Sequence, residues 1–248
     1  MKTVCVIPAR FGSQRLPGKP MMPLRGRPMI QWVIEAARKF TVVDEILVAT
    51  DHERIVAAAR EVGAEAVLTD PELPSGTDRI HAAMHGREGD VIINLQGDEP
   101  GMPGETVARA HAALLAGGAD VATACVPIYH REDFESPNVV KVVRGEGDRA
   151  LYFSRAPIPS LARRSAEDLG APGALFGHKH LGLYLYRRDA LTRFCALPPS
   201  KLEQTEKLEQ LRMLENGMTI VCVTSASDSV GVDVAEDVKR AEDFLGRL

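Results

Sequence analysis

The sequence predicts an α/β fold: a mostly parallel sheet flanked by helices, with a smaller mixed α+β segment inserted in it. Three observations carry this expectation. Short apolar runs rich in β-branched residues alternate with segments of helical period up to Gly118. From Val121 strand-like runs follow one another without long helices between them. A strand and then a helix close the chain. The alternating order implies parallel strands joined by crossover helices on both faces, with ligands held beyond the carboxyl ends of the strands.

Taken in order, Val4, Val6 and Ile7 mark a buried first strand that stops at Pro8. Pro28 to Lys39 has helical period, with Met29, Ile30, Val33 and Ile34 on one face; Met22, Met29 and Trp32 read as core. Ile46 to Ala49 is a strand, and Thr50 or Asp51 can cap the helix that runs to Gly63. Glu65 to Leu68 is a strand, and a polar loop from Thr69 to Gly76 leads into a helix from Thr77. Val91 to Leu95 is a fully apolar strand, and Pro103 to Leu115 a helix ended by Gly117 and Gly118. Val121 to Pro127, Val139 to Val143, Ala150 to Phe153 and Lys179 to Tyr186 are strand-like, while Ser160 to Phe176 reads as an exposed excursion. Leu202 to Leu214 reads as one helix, with Leu202, Leu208 and Leu211 on its apolar face. Thr219 to Val223 is a last strand and Val234 to Leu248 a last helix. Residues 1–126 plus 187–248 are thus expected to form the α/β body, and 127–186 an insertion suited to dimerisation and to a second substrate.

A chain of 248 residues holds one large α/β domain, or such a domain with an insertion. A net charge of -4 without a basic stripe argues against nucleic-acid binding. No apolar run reaches membrane-spanning length, and the strand pattern at the N-terminus leaves no room for a signal peptide, so a cytoplasmic protein is expected. Cys5, Cys125 and Cys222 lie in apolar strand-like runs and Cys195 near a helix end; without a CxxC pair they read as reduced, buried thiols.

The chemistry concentrates first in the loop after the first strand. Pro8 and Ala9 lead into Arg10, Gly12, Ser13, Arg15, Gly18 and Lys19. Glycines let backbone N–H groups approach oxyanions, and the three cations neutralise charge, as a polyphosphate requires. It is not a P-loop: Gly12 and Gly18 are one residue too far apart for G-x-x-x-x-G-K-[ST], and Pro20 stands where the metal-binding hydroxyl belongs. The bland reading is a long polar loop.

Asp98 follows a strand end in N-L-Q-G-D-E-P, where Gly97 permits a tight turn that aims an acid at the phosphate loop. Magnesium takes one or two carboxylates plus substrate phosphates, so Asp98 suits it; a helix-capping acid is the alternative, and Glu99 is a second carboxylate in reach. Asp233, before the last helix, reads equally as an N-cap or as a partner to Asp98 on one metal. Ser75, Gly76, Thr77, Asp78 and Arg79 open a helix whose backbone donors fit a base or ribose, or form a plain cap. Arg155, His178, His180, Tyr184, Glu209 and Gln210 offer a cation and several neutral groups for an acidic substrate; His178 and His180 alternate on a strand, but no third zinc ligand follows.

These stretches together resemble the CMP-Kdo synthetases, the 3-deoxy-manno-octulosonate cytidylyltransferases. The likeness runs nearly end to end in I-P-A-R-F-G-S-Q-R-L-P-G-K-P at 7–20, V-A-T-D at 48–51, S-G-T-D-R at 75–79, N-L-Q-G-D-E-P at 94–100 and N-V-V-K-V-V at 138–143. It continues in A-L-Y-F-S-R-A-P-I-P at 150–159, H-L-G-L-Y at 180–184, L-E-Q-L-R at 208–212 and G-V-D at 231–233. The resemblance implies a nucleotide-diphospho-sugar transferase (Rossmann-like) fold and a homodimeric, Mg2+-dependent cytoplasmic enzyme. It would join CTP to 3-deoxy-D-manno-octulosonate (Kdo) for lipopolysaccharide. By position it implies Pro8, Ala9, Arg10, Ser75, Gly76 and Arg79 around cytidine, and Gly12, Ser13, Arg15 and Lys19 on the triphosphate. Asp98 and Asp233 would take the metal, and Gln96, Arg155, His180, Tyr184, Glu209 and Gln210 the sugar acid. Arg10, Arg15, Lys19, Asp98 and Asp233 would carry the catalysis. Val234 stands where the family commonly has threonine, and the 160–176 excursion is atypical. The alternatives are a cytidylyltransferase for 8-amino-Kdo or a sialic acid, a sugar-1-phosphate nucleotidyltransferase, and a non-catalytic nucleotide-binding regulatory module.

Overall fold

The structure is a computed structural model that describes residues 1–12, 18–232 and 236–247. In chain order the strands are β1 (Thr3–Ala9), β2 (Pro23–Leu24), β3 (Arg27–Pro28), β4 (Glu45–Thr50), β5 (Glu65–Leu68), β6 (Val91–Leu95), β7 (Val121–Ile128), β8 (Lys141–Arg144), β9 (Ala150–Ser154), β10 (Gly177–Arg187) and β11 (Ile220–Thr224). The α-helices are α1 (Met29–Arg38), α2 (Glu53–Glu61), α3 (Gly76–Ala83), α4 (Gly104–Leu115), α5 (Arg131–Glu135), α6 (Ala166–Gly170), α7 (Arg188–Ala196), α8 (Lys201–Glu206), α9 (Gln210–Glu215) and α10 (Asp237–Leu245).

One sheet runs β11-β7-β10-β6-β1-β4-β5, with β8 attached to β10 and β9 to β8. Strands β6, β1, β4 and β5 are mutually parallel, and so are β11 and β7. β10 is antiparallel to β6 and β7, between which it lies, and joins the two parallel groups. The small β2–β3 hairpin turns through Arg25 and Gly26, both at positive φ, as a two-residue hairpin turn demands.

The period-2 pattern of the strands feeds two cores. Cys5, Ile7 and Ala9 of β1 face a core built with α1, α2, α4 and α10, whereas Val4 and Val6 face another built with α3, α7 and α9. The expected helices on both faces are therefore present. Phe134, Phe176 and Ile128 form a third, small cluster beneath the excursion, with Leu161 and Leu169 packed on it.

Several local expectations need correction. β1 continues past Pro8 to Ala9, paired to β4 as far as Thr50. The cap of α2 is neither Thr50 nor Asp51 but His52, whose Nδ1 accepts the Arg54 N–H at 3.2 Å. The 202–214 run is two helices, because Lys207 adopts a left-handed conformation (φ 55°) that ends α8 before α9 begins. α7 stands in a stretch where only the neighbourhood of Cys195 suggested a helix. The last helix is described from Asp237; the expected start at Val234 and its end at Leu248 lie outside the described residues. Of the Met22, Met29 and Trp32 cluster, Met29 is buried, while Met22 and Trp32 pack on the core from its margin.

Candidate active site

The carboxyl ends of β1 and β6 open onto a cavity of about 410 Å³. Three chain segments make its walls. Pro8, Ala9 and Arg10 come from the end of β1, and Ser75, Gly76 and Arg79 from the start of α3. Gln96, Gly97 and Asp98 follow β6. Lys19 completes it, together with Pro20, Leu73 and Pro74, which the sequence reading did not single out.

Gly97 is where the first and third walls meet. A Cβ there would lie 2.9 Å from the Pro8 carbonyl oxygen, so only glycine lets the turn after β6 close onto β1. That approach brings Asp98 to Lys19, and the two form an ion pair. Lys19 is buried at 9% exposure, in a helical turn begun by Gly18 at φ 70°. The Asp98 carbonyl also accepts the Val232 N–H at 3.0 Å, which pins the chain one residue before Asp233. Asp233, Ser13 and Arg15 lie outside the described residues, and Gly12 is described but does not line the cavity.

Glu99 sits behind Asp98 with its Oε2 buried and without a hydrogen-bond partner. Its Oε1 lies where a Cβ on Gly231 would come within 2.9 Å. Burial, reinforced by the Asp98 charge, pushes the Glu99 carboxyl up to about 8.

The opposite wall is cationic. Arg10 is exposed, whereas Arg79 is only 2% exposed. The Arg79 guanidinium donates to the Thr69 hydroxyl and to the Asp70 carbonyl at 3.3 Å, and pairs with Asp51 at 3.5 Å. Ser75 caps α3, its Oγ accepting the Asp78 N–H at 3.1 Å.

The residues expected around a sugar acid divide. Gln96 lines the cavity and donates to Asn94 Oδ1 at 2.9 Å. Arg155, His180, Tyr184, Glu209 and Gln210 do not line it. Arg155 is anchored on Glu206: its N–H donates to Glu206 Oε2 at 2.9 Å and its Nε to the Glu206 carbonyl at 3.0 Å, while a terminal nitrogen reaches the Pro137 carbonyl at 3.1 Å. The Arg155 carbonyl in turn accepts from Lys141 Nζ at 2.6 Å.

His180 and Tyr184 both lie on β10. His180 Nε2 is 2.9 Å from Thr123 Oγ1, and Phe153 and Tyr184 ring it at 5.0 and 5.3 Å between centroids. Enclosure among these rings pushes its imidazole down to about 3, so it is neutral at physiological pH. His178 meets a different group, Arg144, at 3.1 Å. Gln210 is buried at the start of α9, and Glu209 reaches Ser75 Oγ at 3.1 Å. Burial holds the Glu209 carboxyl above its ordinary range.

The arrangement has the chemistry of a nucleotide site: buried and exposed cations over a cavity, a helix start opposite, and a carboxylate at the mouth of the central strand. The cytidylyltransferase family model matches residues 4–220. A 3-deoxy-manno-octulosonate cytidylyltransferase of Bdellovibrio bacteriovorus is 48% identical over 99% of this chain and 98% of its own. One from Chloroherpeton thalassium is 43% identical over 100% and 99%. A solved CMP:2-keto-3-deoxy-manno-octonic acid synthetase complexed with CTP superposes with a TM-score of 0.90 at 40% identity, over 100% of this chain and 99% of its own. The Rossmann-like nucleotidyltransferase fold expected from the sequence is the fold of that structure, and the chain belongs to the 3-deoxy-manno-octulosonate cytidylyltransferase family.

Proposed function

We propose that this protein transfers CMP from CTP to the anomeric hydroxyl of Kdo, releasing pyrophosphate, in the supply of activated Kdo for lipopolysaccharide. The observation that carries the reading is the cavity at the carboxyl edge of the sheet, with the Lys19–Asp98 pair on one side and Arg79 on the other. Its support from outside the chain is the name and the CTP of the relatives.

In this reading Pro8, Ala9, Arg10, Ser75, Gly76 and Arg79 surround the cytidine, Gly12, Ser13, Arg15 and Lys19 hold the triphosphate, and Arg10, Arg15 and Lys19 stabilise charge on the phosphates. The anomeric oxygen attacks the α-phosphorus as the bond to pyrophosphate breaks. Cations placed before the reaction stabilise charge that moves onto the leaving group, without reorganisation at the moment of transfer. Asp98 and Asp233 would hold Mg2+, which when bound neutralises phosphate charge and acts as a Lewis acid. The donor chemistry fits a hard cation: Asp98 offers carboxylate oxygens beside the phosphate cations, and the orphaned Glu99 Oε2 lies on the adjoining residue. Gln96, Arg155, His180, Tyr184, Glu209 and Gln210 would serve the sugar acid. Residues 127–186 would supply the insertion used for that substrate and for a homodimer, in the cytoplasm, with their last stretch, β10, built into the main sheet between β6 and β7. No helix among the described residues is long and apolar enough to cross a membrane.

Pyrophosphate release with CTP across a panel of sugar acids tests the reading. Kdo is expected to give the highest kcat/KM. Equal or better values with 8-amino-Kdo or a sialic acid overturn the Kdo assignment and leave the transfer chemistry. CTP binding without release for any sugar acid favours the regulatory module.

A further inference from the structure

Asp51 follows the end of β4, and its side chain is 12% exposed. It does not line the cavity and does not cap α2, since His52 does that. Its two oxygens serve Phe11, which follows the wall residue Arg10, and Arg79, a wall residue from α3. Oδ1 accepts the Phe11 N–H at 2.8 Å, and Oδ2 faces the Arg79 guanidinium at 3.5 Å.

Phe11 is the neck of the cationic loop. Its carbonyl accepts the Gly18 N–H at 2.9 Å, which holds Phe11 against the turn that carries Lys19. Its ring covers Gly18, where an added Cβ would come within 3.4 Å of Cζ, and stacks on His52 at 4.0 Å between centroids. Arg79 is the buried cation of the nucleoside wall, and its other partners, Thr69 and the Asp70 carbonyl, are neutral oxygens. Burial and the nearby Arg10 pull its pKa down, while Asp51 opposes both. A buried guanidinium needs an answering charge to stay in place.

We infer that Asp51 is a positioning residue of the nucleotide site: one carboxylate ties the neck of the phosphate loop to the guanidinium of Arg79 and so fixes the spacing of the two walls. The inference rests on the reading of the cavity as a CTP site. Asp51 acts through Phe11 and Arg79, so its removal should loosen CTP and leave the acceptor sugar alone.

The test compares Asp51→Asn and Asp51→Ala with wild type, using calorimetric titration of CTP and steady-state KM for CTP and for Kdo. Asp51→Asn keeps an acceptor for Phe11 but loses the charge, and is expected to weaken CTP about tenfold; Asp51→Ala loses both and is expected to weaken it about a hundredfold. KM for Kdo should stay within about twofold, and Asp51→Asn combined with Arg79→Lys should fall short of the product of the single effects, as contacting groups do. Should Asp51→Ala fail to fold, Asp51→Asn carries the test alone. A folded Asp51→Asn with wild-type CTP affinity, or with equal losses for both substrates, overturns the role of Asp51. Failure of the wild type to bind CTP overturns the nucleotide reading and this inference with it.

Discussion

Ser75 Oγ lies 3.1 Å from Glu209 Oε1, across 134 residues of chain, and 2.7 Å from Asp78 Oδ2. A serine hydroxyl has one proton, and here it faces two carboxyl groups while also accepting the Asp78 N–H. Burial disfavours the charged form of Glu209 and holds its carboxyl above the ordinary range, against the hydrogen bonds from Thr77 and Ser75. The same contact joins the start of α9 to the cap of α3, and therefore to the wall of the nucleotide cavity.

Glu209→Gln keeps this geometry without a titrating group. The Glu209 pKa is raised above 4.5 in the folded chain, so its neutral form favours folding. Its contribution is complete below the unfolded value and is lost as pH rises through the folded one. The urea midpoint of Glu209→Gln minus that of wild type is expected to increase from pH 4.5 to pH 7. A difference that stays flat across this range would mean that the charged carboxylate is accommodated.

His180 has the opposite sign. Its folded pKa is lowered from 6.5 to about 3, so the folded chain resists protonation. The stability present above 6.5 is lost as pH falls toward 3, at up to about 1.4 kcal/mol per pH unit. The fall in urea midpoint between pH 7 and pH 4 should be shallower in His180→Gln than in wild type. Parallel curves would remove His180 from the acid response.

Lys141 has no exposed surface, and its Nζ donates to the carbonyls of Ser136 at 2.8 Å, Val139 at 2.6 Å and Arg155 at 2.6 Å. Lys141→Met leaves the Val139 and Arg155 carbonyls without this donor, while the Ser136 carbonyl keeps the Val139 N–H at 3.2 Å; each orphaned carbonyl costs roughly 1–3 kcal/mol when buried. Chemical denaturation is expected to show a loss of at least about 2 kcal/mol. A loss below about 1 kcal/mol would show that water replaces the ammonium at these oxygens.

Asp98→Asn retains an acceptor for Lys19 but removes the negative charge. Under the proposed chemistry, kcat for pyrophosphate release should fall by about a hundredfold or more, with the melting temperature nearly unchanged. Turnover close to wild type at limiting Mg2+ would place Asp98 outside the catalytic machinery.

The elements with a regular apolar stripe or an unbroken apolar run were legible in the sequence. The α1 stripe of Met29, Ile30, Val33 and Ile34 is wholly buried, and the β1 and β6 runs are buried on both faces. Breaks made by backbone conformation alone were not: Lys207 carries no turn signal, and Leu208 and Leu211 continue an apolar face across the kink. α7 follows β10 without a gap or a side-chain cap, so nothing in the sequence separates the two. In the cavity, the residues from β1 and the turn after β6 were legible because glycine and charge cluster within each segment. Asp51 was not, because its partners Phe11 and Arg79 lie 40 and 28 residues away and its place before a helix suggested a cap. Glu209 and Gln210 were assigned through the family resemblance, and the contact of Glu209 with Ser75 is a tertiary fact with no local signature.

The antiparallel β10 bears on synthesis from the ribosome. Its neighbours β6 and β7 are both made before it, and β11, the other neighbour of β7, comes later still. Until Arg187 has emerged, the nascent chain therefore presents one bare edge on β6 and two on β7. Both strands are almost entirely buried in the finished protein. Unpaired apolar edges of this kind template association between chains. On the β10 side of β7 the hazard lasts for some sixty residues of elongation, roughly 3–12 s at typical rates of synthesis; it ends there when one strand slides between two that are waiting, while the far edge of β7 stays bare until β11 is made.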